Sequence, residues 1–293
     1  MTGSSIIARA NGLTKTFGRK TVLRGIDFTI PAGRVYGLLG LNGAGKTTTL
    51  NALLGLTNCG GQIEVLGLDP FQHRARLMND VAFVSDVASL PRFLKVDQLL
   101  GLVSDIHPRF DRGKAAALLD GTEVRPNLKI KALSKGMLAQ LHLAVVMAID
   151  AKLLVLDEPT LGLDIIYRKR FYQRLLEDYM NEDRTLLITT HQVDEIELML
   201  TDIMFMHEGR IVLDMPVEEI GERFTQVIVD KDKLSDVETL NPIYRETRFG
   251  MTAMVFENAA QADLEPYGQV STPSLSDLFV TLMQRETDMP RAA

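Results

Sequence analysis

At 293 residues, 46% of them apolar and 24% charged, the chain has the composition of an ordinary globular protein, long enough for one large domain and an appendage. Its net charge of −6, with Lys and Arg dispersed along the chain, argues against a nucleic-acid binder held by phosphate contacts. One cysteine, Cys59, excludes an internal disulfide and a cysteine-based zinc site and fits a reducing compartment; the opening MTGSSIIARANG lacks a signal-peptide pattern, and no apolar run reaches bilayer length.

Residues 6–12 and 21–30 alternate apolar and polar positions around Phe17-Gly18-Arg19-Lys20, a pattern that predicts two antiparallel strands joined by a turn. Phe17 at that turn offers a flat face on which adenine could stack, or a turn aromatic with no ligand. Next comes the stretch that organises the chain, VYGLLGLNGAGKTTTLNALL over residues 35–54, which reads as strand, loop, helix. Gly40, Leu41, Asn42, Gly43, Ala44, Gly45, Lys46 and Thr47 meet the spacing G-x-x-x-x-G-K-[ST] in full. Its glycines let the backbone N–H groups wrap a phosphate at a helix N-terminus that also includes Thr48. Lys46 supplies a point charge for the outer phosphates, and the Thr47 hydroxyl suits the accompanying magnesium. A nucleoside triphosphate site follows from motif and context together.

Further on, residues 62–65 and 81–84 read as strands, and residues 94–106 and 114–119 as helices interrupted at His107-Pro108. In Leu133-Ser134-Lys135-Gly136-Met137, Ser134 is placed as the N-cap of an apolar-rich helix, and its hydroxyl can either cap that helix or face a phosphate. Leu153 to Leu156 form a continuous apolar run ending in Asp157-Glu158-Pro159, as expected of a buried parallel strand whose C-terminal tip carries polar residues. There Asp157 is positioned to hold magnesium and Glu158 to take a proton from water. A strand over residues 185–190 ends at His191, whose imidazole can donate to a terminal phosphate. A closing hairpin is expected around His207-Glu208-Gly209. Beyond about residue 224, strands at 226–230 and 251–256 and a helix at 275–284 predict a small α+β appendage over 225–293.

In the order and spacing of these pieces, over about residues 7–215, the chain resembles the ATP-binding subunit of an ABC transporter. The likeness implies an α/β P-loop NTPase of ABC type over residues 1–224, with an antiparallel β subdomain and a helical insert at about 92–130. It implies roles residue by residue: Phe17 as the adenine-stacking aromatic, Gly40 to Thr47 as the P-loop, Ser134 and Gly136 in the signature, and Asp157 and Glu158 closing the Walker B strand. Asp164 would stand in the D-loop and His191 as the switch histidine. Two positions depart from the commonest pattern. The signature reads LSKGM rather than LSGGQ, although Ser134 and Gly136 survive, and Asp86 stands where a Q-loop glutamine is usual, as a third magnesium candidate beside Thr47 and Asp157. The segment Pro273-Ser274-Leu275-Ser276-Asp277-Leu278-Phe279 also resembles the end of export-type (ABC-2-like) ATPases.

The resemblance implies ATP and Mg2+ as ligands and Glu158, His191 and Lys46 as the catalytic set. It further implies head-to-tail pairing with a second copy or a related ATPase subunit, and a separate membrane subunit docked on the insert, so that the protein would sit peripherally on the cytoplasmic face of the inner membrane. Phe93, Leu94, Leu99 and Leu102 are candidates for that docking surface or for the insert's own core. A non-transport ABC ATPase and a regulatory P-loop switch are the competing readings. Against them stand the absence of a second ATPase unit, of a long coiled-coil insert and of a guanine-reading N-K-x-D motif.

Overall fold

The structure, a computed structural model, describes residues 5–85, 90–161, 165–179 and 184–288. Asp86, Gly162, Leu163 and Asp164 therefore lie outside the described residues. Two long strands, β1 (Ile6–Phe17) and β2 (Lys20–Pro31), pair antiparallel, and β4 (Gly60–Val65) adds to the free side of β1. Phe17 and Lys20 prove to be paired strand residues, so the connection shrinks to Gly18-Arg19, with Gly18 at φ 58°, the left-handed geometry of a two-residue hairpin.

The second sheet has six strands in the order β5-β6-β7-β3-β8-β9. Its members are β3 (Val35–Gly40), β5 (Val81–Val84), β6 (Leu153–Asp157), β7 (Thr185–Thr190), β8 (Asp202–His207) and β9 (Arg210–Pro216). The first five run parallel and β9 closes antiparallel on β8 as the expected hairpin. Every residue of β3, β6 and β7 is buried, which is why none of them shows an alternating apolar and polar pattern.

Each face of this sheet carries its own core. On one side Leu13, Leu23, Phe28 and Ile30 of the antiparallel sheet meet Leu38, Val155, Leu187 and Met204, together with Leu50 and Leu53 of α1 (Lys46–Leu53). The short α2 (Arg74–Leu77) adds Leu77 there. On the other side Leu39, Leu154, Ile188 and Phe205 pack on α5 (Lys135–Met147) and α6 (Ile165–Tyr179). The helical insert holds α3 (Val96–Ile106) and α4 (Arg112–Leu119), whose Leu99, Leu100, Ala115 and Leu119 form a third cluster with Leu141, Ala144 and Val145 of α5. Because α5 serves two cores it is apolar on nearly every side. Of the four docking candidates, Leu99 is buried in the insert and Leu94 packs partly against it, while Phe93 and Leu102 remain exposed.

After α7 (Ile220–Arg223) a four-stranded antiparallel sheet runs β11-β12-β10-β13, from β10 (Phe224–Val229), β11 (Tyr244–Arg248), β12 (Met251–Glu257) and β13 (Gly268–Ser271). Val227, Val229, Met254 and Phe256 pack against Val237 of α8 (Leu234–Glu238) and Leu264 of α9 (Gln261–Leu264). The terminal helix α10 (Leu275–Asp288), read from sequence as part of the appendage, does not pack in that cluster. Its Leu275, Leu278, Phe279, Leu282 and Met283 lie in the core beneath β7, β3 and β8, where Phe279 meets Phe205 edge to face with centroids 5.3 Å apart. No helix among the described residues is long and apolar enough to cross a membrane.

Candidate functional site

Because β6, β7, β3 and β8 run side by side in parallel, their C-terminal tips share one edge of the sheet. The glycine-rich loop leaves the tip of β3, Asp157 and Glu158 stand at and just past the tip of β6, and His191 follows the tip of β7. A cleft on this edge is lined by Lys20, Val22, Asn42, Gly43, Gly45, Lys46, Thr47, Thr48, Asp157, Glu158, Leu161 and His191. The fold therefore brings together residues separated by up to about 170 positions in sequence, as expected where ligands bind at strand ends of an open α/β sheet.

The loop's path explains its glycines. A Cβ on Gly40 would lie 2.5 Å from the Met206 carbonyl oxygen, and Gly45 sits at φ 115°, which side chains rarely adopt. With those two residues small, α1 starts at Lys46 directly beneath the loop. The turn between β8 and β9 braces the loop from behind, since Gly209 N–H donates to the Ala44 carbonyl at 2.8 Å.

Lys46 is only 7% exposed, and its ammonium donates to the Gly40 carbonyl at 2.6 Å and the Leu41 carbonyl at 3.4 Å. Burial lowers its pKa from the ordinary lysine value, while the nearby Glu158 and Asp157 carboxylates pull the other way. Asp157 is 3% exposed; its Oδ2 accepts from the Thr47 hydroxyl at 3.1 Å and its Oδ1 from the Thr189 hydroxyl. A threonine hydroxyl and a carboxylate are hard oxygen donors of the kind magnesium takes, so Thr47 and Asp157 fit that ion. Among the described residues no group of three or more His, Cys, Asp or Glu is placed to hold a metal.

Glu158 adopts φ 47°, a left-handed backbone unusual for glutamate. Its N–H donates to the Thr189 carbonyl at 3.0 Å, and both of its carboxylate oxygens lie 3.0 Å from His191 Nδ1. The carboxylate and imidazole are thus a contacting pair beside the P-loop, with the His191 side chain 43% exposed toward the cleft.

Three predicted site residues fall elsewhere. Phe17 ends β1, 53% exposed, with the Lys15 ammonium 5.0 Å above its ring, and it does not line the cleft. Ser134 caps α5 by accepting from Met137 N–H at 3.2 Å. Gly136 lines a separate cavity between α5 and α6 with Gln140, Leu143, Arg170 and Phe171. Thr189, by contrast, escaped the sequence reading although it orients both Asp157 and Glu158. Its signal was a hydroxyl near the end of a fully buried strand, which must find a partner.

A glycine-rich loop between a central strand and a helix, with carboxylates at the tip of β6 two strands away across β7, defines a P-loop nucleoside triphosphatase. Comparison with known proteins narrows the class. Residues 23–161 match the family model described as ABC transporter. The Nod factor export ATP-binding protein I of Ralstonia nicotianae is 33% identical over 247 residues, covering 78% of this chain and 74% of that protein. The protein of the same name from Rhizobium meliloti is 30% identical over 294 residues, covering 94% and 87%. Among solved structures, one described as an ATP-binding subunit of an ABC transporter superposes with a TM-score of 0.67 at 23% identity, covering 73% of this chain and 91% of that one. The chain belongs to the ABC transporter ATP-binding family and is an ATPase subunit of that type.

Proposed function

We propose that this ATPase powers a separate, export-type membrane subunit by closing and opening a head-to-tail pair with a second copy of itself or a related ATPase subunit. The observation that carries the reading is the separation of its two phosphate-seeking elements. The P-loop cleft holds Lys46, Glu158 and His191, but Ser134 and Gly136 do not line it. A second subunit turned about a two-fold axis would present its Ser134 hydroxyl and the N-terminus of its α5 to that cleft. Export is supported by the names of relatives such as the Nod factor export proteins and by the Pro273–Phe279 segment.

In this reading the loop amides and Lys46 hold the β- and γ-phosphates, and Phe17 offers a face to adenine. Glu158 takes a proton from the attacking water as its oxygen bonds to the γ-phosphorus and the bond to the bridging oxygen of the departing ADP breaks. His191, oriented by Glu158, donates to a γ-phosphate oxygen. Magnesium held by Thr47 and Asp157 supplies positive charge that offsets the phosphate oxygens. Asp86 as a further magnesium contact and Asp164 as the link between paired sites belong to the same proposal. The pair stays closed while the triphosphate bridges it and opens after cleavage. Phe93 and Leu102, exposed on the insert, are the docking candidates for the membrane subunit, which would keep this chain peripheral on the cytoplasmic face.

Specific ATPase activity measured against protein concentration tests the pairing. An upward curve at low concentration is expected of sites completed by association. A flat line down to nanomolar protein would contradict it.

A further inference from the structure

The segment following His191 is gripped from two sides. From α6, the Arg168 guanidinium pairs with Glu195 at 2.7 Å and also donates to the Gln192 side-chain oxygen. From α10, the Leu275 N–H donates to Glu197 Oε1 at 3.0 Å and the Ser276 hydroxyl donates to Asp194. Asp194 and Glu197 thus cap the N-terminal turn of a helix that lies far along the chain and packs into the ATPase core. That turn is itself stiffened, since Ser274 Oγ accepts from Asp277 N–H at 3.1 Å and donates to the Asp277 carboxylate at 2.8 Å. His191 is held less fully: its ring is half-exposed, and among the described residues Glu158 is the one side chain hydrogen-bonded to it, through Nδ1. Where the imidazole sits is therefore set by Glu158 on one side of the ring and by the backbone that carries it, β7 before it and residues 192–199 after it.

We propose that the first turn of α10 is a positioning element for His191, acting through Ser276–Asp194 and the Leu275 amide–Glu197 contact. The inference rests on the proposed role of His191 and extends it. Through these contacts the Pro273–Phe279 segment ties the chain that follows the C-terminal sheet to the hydrolytic step. The expected signature is slower turnover at unchanged ATP binding, because none of these groups lines the cleft.

The test uses the full chain with Ser276→Ala and Glu197→Ala, each paired with a variant that keeps the bond, Ser276→Thr and Glu197→Gln. Loss of one such hydrogen bond is expected to lower kcat about 3- to 10-fold with KM for ATP within about twofold, and the conservative variants should restore it. In a His191→Ala background, where residual turnover is read at high protein concentration, Ser276→Ala should cause no further loss. Wild-type kcat in both alanine variants, KM rising in step with falling kcat, or the same fractional loss with and without His191 would overturn the inference. Full turnover by His191→Ala alone is a separate result: it removes His191 from the proposed mechanism whatever Ser276 does.

Discussion

Replacing Glu158 with glutamine removes a proton acceptor while disturbing little else. The amide keeps one oxygen in reach of His191 Nδ1, now 3.0 Å from both carboxylate oxygens, and the backbone bond from Glu158 N–H to Thr189 is untouched. Losing a general base slows turnover by about 10² to 10⁴, equivalent to roughly 2.7 to 5.4 kcal/mol in the barrier. ATP affinity moves the opposite way. Glu158 is the largest charge partner of Lys46, so neutralising it removes repulsion toward the triphosphate, worth on the order of 1 kcal/mol, about fivefold tighter binding. Phosphate release under saturating ATP and titration of a fluorescent ATP analogue read the two effects separately. Turnover within about threefold of wild type, in protein that melts at the wild-type temperature, would refute the assignment of Glu158 as base.

Three other expectations follow from particular contacts. Asp214 lies diagonally across the β8–β9 ladder from the buried Asp202, and burial first, then Asp202, push its carboxyl up to about 6. A folded-state value above the ordinary 3.8 means that its contribution to stability is present in full below about pH 4 and is lost as pH rises through about 6. Asp214→Asn should raise the melting temperature at pH 8 and leave it unchanged at pH 4; since the residue as a whole is exposed, the burial felt by its carboxyl is discounted for solvent screening, to a gain of at most about 1 kcal/mol. Phe279→Ala should cost about 3 to 5 kcal/mol by opening a cavity against Phe205, seen as a lower denaturant midpoint for the whole ATPase core; a loss under 1 kcal/mol would mean that α10 is not part of that core. Thr47→Val, which deletes the hydroxyl bonded to Asp157, should raise the magnesium concentration needed for half-maximal hydrolysis about tenfold or more, and an unaltered magnesium titration would remove Thr47 from that role.

The parts of the site nearest the sheet were the most legible in sequence. Residues 35–54 combine a strand, a spacing and a helix start that agree, and the runs 81–84 and 153–156 are apolar without interruption because both faces of their strands are covered. Legibility fell where a contact depends on distant chain. Tyr244–Arg248 and Gly268–Ser271 are the two edge strands of the C-terminal sheet, one rich in charge and the other only four residues long, so neither carries an apolar run to betray it. The helix at residues 275–288 was legible as a helix, but its landing place under β3, β7 and β8 was not, since amphipathicity names a buried face without naming what buries it. The same holds for Arg168 with Glu195 and for Thr189 with Asp157, pairs 27 and 32 residues apart that only the fold joins.

Mass in solution gives the most direct test of the central claim that ATP is gripped by two chains. Glu158→Gln protein, analysed by light scattering with ATP and magnesium, should have twice the mass of the nucleotide-free chain, and adding Ser134→Arg should return it to the single mass while leaving the P-loop able to bind ATP. A strictly single mass with ATP demonstrably bound would contradict the account.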